Sequence, residues 1–122
     1  MIRSTNQNEL VFMTDAGDEI ARIAEKLEKH TAVLTLSGAL NTELSFDLGD
    51  ELKALLMTGC HVTLDMQAVT HLSAPIGSVL LNSQNDAEHY GKRLLLRHVP
   101  ACVMETLKAN NLRYSLDIEE ED

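Results

Sequence analysis

Apolar and polar residues follow two different spacings along this chain. Short apolar runs occupy residues 10–13, 32–36, 62–66 and 93–99, and their length and composition are typical of strands. Elsewhere apolar residues recur every three or four positions, which predicts amphipathic helices. The two helical stripes contain Leu44, Leu48, Leu52, Leu55 and Leu56, then Ile76, Val79, Leu80, Ala87 and Tyr90. Strands that alternate with helices predict an α/β fold with a predominantly parallel sheet and right-handed crossovers.

Residues with special backbone roles mark the ends of these elements. Ser, Thr and Asn cap helices, glycine ends them, and proline fits the first helical turn. The predicted boundaries are a cap at Asn41 or Thr42, a stop at Gly59, a second helix over 75–90 that Gly91 ends, a third helix from Pro100 to Leu112, and a last short strand containing Leu116 and Ile118.

The stretch from residue 61 to residue 81 is the most informative. Its first part predicts a buried strand. Residues 67–72 predict a short turn, and Ser73-Ala74-Pro75 predict the opening of a helix. In open α/β sheets, a strand end that leads to a helix start commonly forms the working surface, because the first amides of the helix are unpaired and point outward. The sequence therefore predicts a binding surface here.

The same stretch resembles the signature of STAS domains, the small α/β modules of anti-sigma-factor antagonists and of sulphate-transporter tails. In that family a strand ending Leu-Asp-Leu leads through a short turn to Asp-Ser-Ser-Gly-Leu-Gly-Val-Leu-Leu, whose serine a partner kinase phosphorylates. Asp65 matches the strand-end aspartate, and residues 79–81 match the helix. Ser73 stands where the family has Asp, and Ala74 and Pro75 stand at the acceptor position, so the chain looks like a STAS domain without the usual acceptor hydroxyl.

The resemblance covers roughly residues 20–118, including a Gly38-Ala39-Leu40-Asn41 corner similar to the family's Gly-x-Leu-Asp. It implies a STAS-like, mostly parallel central sheet of four to five strands with helices and with antiparallel N-terminal strands. We predict a single domain over 1–122, in which 1–18 is an N-terminal extension that can add a strand and 119–122 is an acidic tail.

Residues 19–29 carry conflicting signals. Ile20, Ile23 and Leu27 have helical spacing. The resemblance instead makes this segment the first strand of a hairpin that turns near His30. We favour the strand, because without it the next strand would expose its edge.

Composition narrows the range of functions. A chain of 122 residues with 44% hydrophobic and 3% aromatic residues supports one aliphatic core. A formal charge of −9 argues against nucleic acid and anionic membrane surfaces as partners. The absence of a signal peptide and of a long apolar segment predicts a cytoplasmic protein without membrane insertion.

The residue types that carry catalysis are not arranged for it. Cys60 and Cys102 have no metal-like or redox spacing, and the histidines at 30, 61, 71, 89 and 98 form no i, i+4 pair. The sequence has no glycine-rich phosphate loop and no Gly-x-Ser-x-Gly elbow. We therefore predict a protein that is not an enzyme and that needs neither a cofactor nor a metal.

The candidate site residues surround the start of the second helix. Ser73 is interpreted as an ordinary N-cap, with a displaced phosphoacceptor as the alternative. Asp65 either caps the following turn or sets the charge that a partner meets. The predicted partner-binding or regulatory residues are Asp65, Thr70, His71, Ser73, Ala74, Pro75 and Ser78.

The resemblance implies a bacterial regulatory module that acts in signal transduction by partner switching. In the family the partner is typically an anti-sigma factor with a kinase-like ATPase fold; chemotaxis and envelope lipid-transport systems are other settings. Without the acceptor, binding is expected to be constitutive or controlled from the partner's side. The alternatives are a small-anion or nucleotide sensor at the N-terminus of helix 74–90 and a scaffold subunit of a homo-oligomeric assembly, and a homodimer also stays open.

Overall fold

The computed structural model describes residues 2–6 and 8–119, which form one mixed sheet and three α-helices. The elements are β1 (Ile2–Asn6), β2 (Glu9–Met13), β3 (Glu19–Glu28), β4 (Thr31–Leu40), a 3-10 turn (Thr42–Leu44), α1 (Ser45–Met57), β5 (His61–Leu72), α2 (Ala74–His89), β6 (Leu94–Arg97) and α3 (Ala101–Ala109). Within this described part the sheet has six strands in chain order. Strands β1 to β4 are antiparallel, and β4, β5 and β6 are parallel. The predicted α/β class is confirmed, with a larger antiparallel half than predicted.

Strand β3 resolves the conflict over residues 19–29 in favour of a strand. It pairs with β4 from Ala21 to Glu28, and the hairpin turns at Lys29, whose φ is 56°. Ala21 and Ile23 are buried, whereas Leu27 is 61% exposed. The helical spacing was misleading because Leu27, one of the residues that produced it, is not a core residue.

Strand β5 is longer than predicted, and the turn predicted over 67–72 is wrong. The strand continues to Leu72 beside β4, with two shifts of register: Thr35 faces Asp65 but Ser37 faces Ala68, and later Gly38 faces Val69 but Ala39 faces His71. Each shift places one extra residue in β5, which is the definition of a β-bulge. The buried positions consequently fall at every third residue, Met66, Val69 and Leu72, instead of every second one.

The three helices pack with one face of the sheet. Alternate residues of the central strands join the leucines of α1, α2 and α3 in a single core, whereas Thr63 and Leu95 are buried outside it. The predicted leucine stripe of α1 is confirmed by Leu44, Leu48, Leu52 and Leu56, each at most 1% exposed. Tyr90, which the sequence offered as a further core residue, is 39% exposed.

The third helix is shorter than predicted. Pro100 is its N-cap and not its first helical residue, because its ψ of 164° is extended while its carbonyl accepts the Val103 amide at 3.1 Å. The helix ends at Ala109, since Asn111 adopts a left-handed φ of 58°. Ile118 forms a single parallel bridge with Leu96 in place of a short strand.

Both ends of the described chain are hydrogen-bonded to the sheet. Strands β1 and β2 lie within the predicted 1–18 extension and pair with each other and with β3. At the other end, the Glu119 amide donates to the Leu96 carbonyl at 2.8 Å. Residues 120–122 of the predicted acidic tail lie outside the described residues. Among the helices that are described, none is long and apolar enough to cross a bilayer.

Candidate functional site

The start of α2 is the centre of the predicted surface. Ser73 occupies the N-cap position with φ −76° and ψ 153°, and its carbonyl accepts the amides of Ile76 at 3.1 Å and Gly77 at 3.4 Å. Its own amide donates to the Leu40 carbonyl of β4 at 3.0 Å, so the end of the sheet fixes where the helix begins.

The Ser73 hydroxyl does not perform the predicted capping. Its Oγ makes no capping hydrogen bond, and it is buried with no partner within the described residues. The prediction of an N-cap is therefore right for the backbone and wrong for the side chain. The opening of α2 rests on the backbone bonds of Ser73 and on Pro75, whose fixed φ suits the first turn.

The residues on either side of Ser73 form an exposed surface. Ala74, Pro75 and Ser78 are exposed on the first turns of α2, and Thr70 and His71 are exposed at the second bulge of β5. The opposite side of α2 is tightly packed, because a Cβ on Gly77 would lie only 2.8 Å from Cδ1 of Leu112. The helix therefore presents its small and polar side chains outward.

Asp65 performs a structural task away from that surface. Its Oδ1 accepts the Gln67 amide at 3.1 Å and lies 3.2 Å from Nδ1 of His98. The first contact satisfies a backbone donor at the first bulge of β5. Asp65 also alternates with Met66 along the strand, so its side chain points away from the face on which the helices pack.

Phe46 is a surface residue that the sequence analysis missed. It lies in the first turn of α1 and is 78% exposed. Gly49, one turn later on the same side of α1, lies against α2, with a virtual Cβ 3.4 Å from Cγ1 of Val79. Phe46 is thus placed on the side of α1 that faces α2. The sequence contained one indication of this. Phe46 lies between Leu44 and Leu48 but falls outside the apolar stripe that these leucines form.

The segment that carries this surface is free of charged residues. From Met66 to Asn85 there is no Asp, Glu, Lys or Arg, although such residues make up 24% of the chain. Its exposed positions are Gln67, Ala68, Thr70, His71, Ala74, Pro75, Ser78, Asn82 and Asn85. The formal charge of −9 is therefore carried by other parts of the chain, and this segment forms a neutral surface.

The structure brings together no set of residues typical of a metal site. Within the described residues there is no group of three or more His, Cys, Asp or Glu side chains that could hold a metal ion. Cys60 and Cys102 are both free thiols and are half-buried. The Cys102 thiol donates a hydrogen bond to the Val69 carbonyl oxygen at 3.7 Å.

Comparison with known proteins identifies the family. The model described as "Mlab, STAS domain" matches residues 23–116, so the chain belongs to the STAS family. A comparison with curated protein sequences gave no match.

Solved structures share the fold. An anti-sigma factor antagonist from Mycobacterium paratuberculosis superposes with a TM-score of 0.72 at 11% identity, over 83% of this chain and 86% of that one. A putative anti-sigma factor antagonist from Thermotoga maritima gives 0.71 at 18% identity, over 81% and 86%. The antagonist SpoIIAA in its unphosphorylated form gives 0.69 at 13% identity, over 81% and 89%. At these identities the likeness establishes the fold.

Proposed function

We propose that this protein is a regulatory module that binds a signalling protein through the neutral surface, defined as the exposed residues Thr70, His71, Ala74, Pro75 and Ser78 together with Phe46. The observation that carries the proposal is the absence of charged residues from Met66 to Asn85 in an otherwise highly charged chain. The central part of a protein interface is depleted of charged residues, because each would have to be desolvated on binding.

Phe46 gives this surface an apolar anchor. Large aromatic side chains dominate binding energy when they fill a pocket of the partner, and 78% of this ring is accessible. The residues opposite it on α2 are small or neutral, so a partner can approach the backbone of the helix start closely. The partner that this shape and family support is an anti-sigma factor or a related signalling ATPase, because relatives with the same fold include anti-sigma factor antagonists.

We further propose that binding lacks the serine switch of the family. Ala74 and Pro75 carry no hydroxyl, and the Ser73 Oγ is buried. A kinase needs an accessible hydroxyl, and the acceptor position offers none. Binding is then constitutive or is controlled by a change in the partner.

Replacement of Ser78 by glutamate tests the binding surface. In calorimetry with the signalling protein encoded beside this one, Ser78→Glu is expected to weaken binding by roughly tenfold or more, which corresponds to about 1.4 kcal/mol. The reason is that a charge would be desolvated where the wild type places a small neutral group. Ser4→Glu is the matched control, because it makes the same change at an exposed position on β1.

The control is expected to leave the affinity within about twofold of the wild-type value, and neither variant should lower the melting temperature appreciably. Equal affinities of the wild type and Ser78→Glu would place the interface elsewhere on the domain.

A further inference from the structure

The part of β5 that carries Thr70 and His71 has a neighbouring strand on one side only. Strand β6 pairs with residues 62–65 of β5, whereas β4 follows β5 to its end. Among the described strands, β4 is therefore the only neighbour of residues 66–72. On the other side, the segment that leads from β6 into α3 contacts β5 through side chains.

The two bulges in this part of β5 decide which side chains point outward. In a regular strand that continues from the buried Met66, Thr70 would point into the core and Val69 toward solvent, because successive side chains alternate between the two faces. The structure shows the reverse: Val69 is 4% exposed, and Thr70 is exposed. The exposure of Thr70 on the neutral surface therefore depends on the bulged register.

Asp65 stabilises the first bulge from within the strand. Met66 and Gln67 fall between the paired residues of β4 and β5, since Thr35 faces Asp65 and the next pair already involves Ala68. The Gln67 amide donates to Asp65 Oδ1 at 3.1 Å. A side chain of β5 itself thus satisfies a backbone donor that the irregular register moves out of the ladder.

His98 connects the same carboxylate to the end of β6. Its Nδ1 lies 3.2 Å from Asp65 Oδ1, and its φ of 54° is left-handed, a conformation that is disfavoured for a residue with a Cβ. Such a conformation persists where the surrounding structure holds it, and it often marks a functional constraint. The Cys102 thiol, four residues later, donates to the carbonyl of Val69 between the two bulges.

We propose that Asp65 and His98 are positioning residues, which hold β5 in the bulged register and thereby present Thr70 and His71 to the partner. They act from outside the neutral surface, because the Asp65 side chain points away from the face on which the helices pack. Loss of the Gln67 contact lets the strand relax toward regular alternation, which withdraws Thr70 from the surface. The consequence for binding rests on the proposed function, since both presented residues belong to the proposed binding surface.

Calorimetry with the signalling protein encoded beside this one compares three variants. Asp65→Ala is expected to weaken binding by roughly tenfold. Asp65→Asn keeps an oxygen that can accept the Gln67 amide, so its affinity should stay within about twofold of the wild-type value. Asp117→Ala is the matched control, because it removes a carboxylate that holds Arg93 at 2.6 Å beside the start of β6, away from the bulges. It should leave the affinity within about twofold, even with a lower melting temperature.

Hydrogen exchange and nuclear magnetic resonance read the register of β5 without a partner. In Asp65→Ala the Gln67 amide is expected to exchange roughly tenfold faster than in the wild type, and the amide shifts of residues 68–72 should move. Asp65→Asn and Asp117→Ala should keep the wild-type values. His98→Gly tests the second contact, because glycine adopts the left-handed φ without strain and only the ring is lost. It should move the same shifts by a smaller amount.

The two readings separate the positioning role from the binding surface. Wild-type exchange at Gln67 and wild-type shifts of residues 68–72 in Asp65→Ala would overturn the proposal, whatever the effect of Ser78→Glu on binding. Moved shifts with unchanged affinity would also overturn it if Ser78→Glu weakens binding. If Ser78→Glu has no effect on affinity either, the control of the register by Asp65 stands and the proposed binding surface fails.

Discussion

Ser73 has the backbone conformation of an N-cap, but its side chain does not make the capping hydrogen bond that the sequence predicts. A serine before a helix that begins with proline is a good prediction of an N-cap, and the backbone angles of Ser73 agree with it. Whether the hydroxyl reaches a free amide depends on a single side-chain torsion. Sequence spacing contains no information on that torsion. The buried leucines of α1 were predictable for the opposite reason, because burial there depends only on helical periodicity.

Ser73→Ala is therefore expected to leave the protein as stable as the wild type or slightly more stable. An ordinary N-cap serine contributes about 1 kcal/mol, which its replacement by alanine removes. Here the hydroxyl is buried without a partner among the described residues, so its removal relieves a desolvation cost. Urea denaturation measures the difference. A loss of about 1 kcal/mol or more would mean that the hydroxyl does cap α2 in solution.

At the level of elements, the failed predictions arise where the chain departs locally from a regular strand or helix. Sequence periodicity assumes a regular strand or helix, and the two bulges of β5 change the spacing of buried residues from two to three. Residues 67–72 consequently looked like a turn. The start of α3 was misplaced because Pro100 caps the helix with an extended ψ, and its end was misplaced because Asn111 has a left-handed φ. The regular parts, α1, α2 and the strands of the core, followed their periodicity and were predicted.

Two glycines with a left-handed φ test how much space their surroundings leave for a side chain. Gly38 has a φ of 84° in the middle of β4, where a Cβ would collide with the Ile20 carbonyl oxygen and lie 2.9 Å from Cα of Ala21. Gly59 has a similar φ of 97°, but no described heavy atom lies within 4 Å of its virtual Cβ. The two positions thus share the backbone requirement and differ in the available space.

Gly59→Ala is expected to cost about 1 to 2 kcal/mol, the price of a left-handed conformation for an L-residue. Gly38→Ala should cost roughly 3 kcal/mol or more, because the backbone of β3 must also move away from the new methyl group. Urea denaturation of both variants gives the comparison. Similar losses for the two would show that β3 and β4 adjust to the methyl group without strain.

For the whole molecule, α1 borders two separate features: the neutral surface, and a cavity of about 250 Å³ with an acidic lining between α1 and the first strands. Gly49 packs against Val79 of α2 beside the neutral surface, while Asp47 and Glu51 face the acidic cavity. The neutral surface could be predicted in part, because its residues are contiguous in the chain. The cavity could not, since Arg3 and Asp47 are separated by 44 positions and meet only through the register of β1 to β4.

Intact-mass spectrometry on the whole protein can test the proposal that the serine switch is absent. After incubation with ATP and a serine kinase that phosphorylates a STAS relative, the wild type is expected to keep its mass, because the Ser73 Oγ is buried and Ala74 and Pro75 carry no hydroxyl. The relative itself, treated in the same way, confirms that the kinase is active.

The double variant Ser73→Asp with Ala74→Ser rebuilds the Asp-Ser pair of the family while keeping Pro75 in the first turn of α2. It is expected to gain the mass of one phosphoryl group. The added phosphate, with about two negative charges near pH 7, would lie at the positive end of the helix dipole, where an anion is stabilised. Phosphate on the wild type at Ser73 would contradict the prediction and show that the acceptor has moved by one residue.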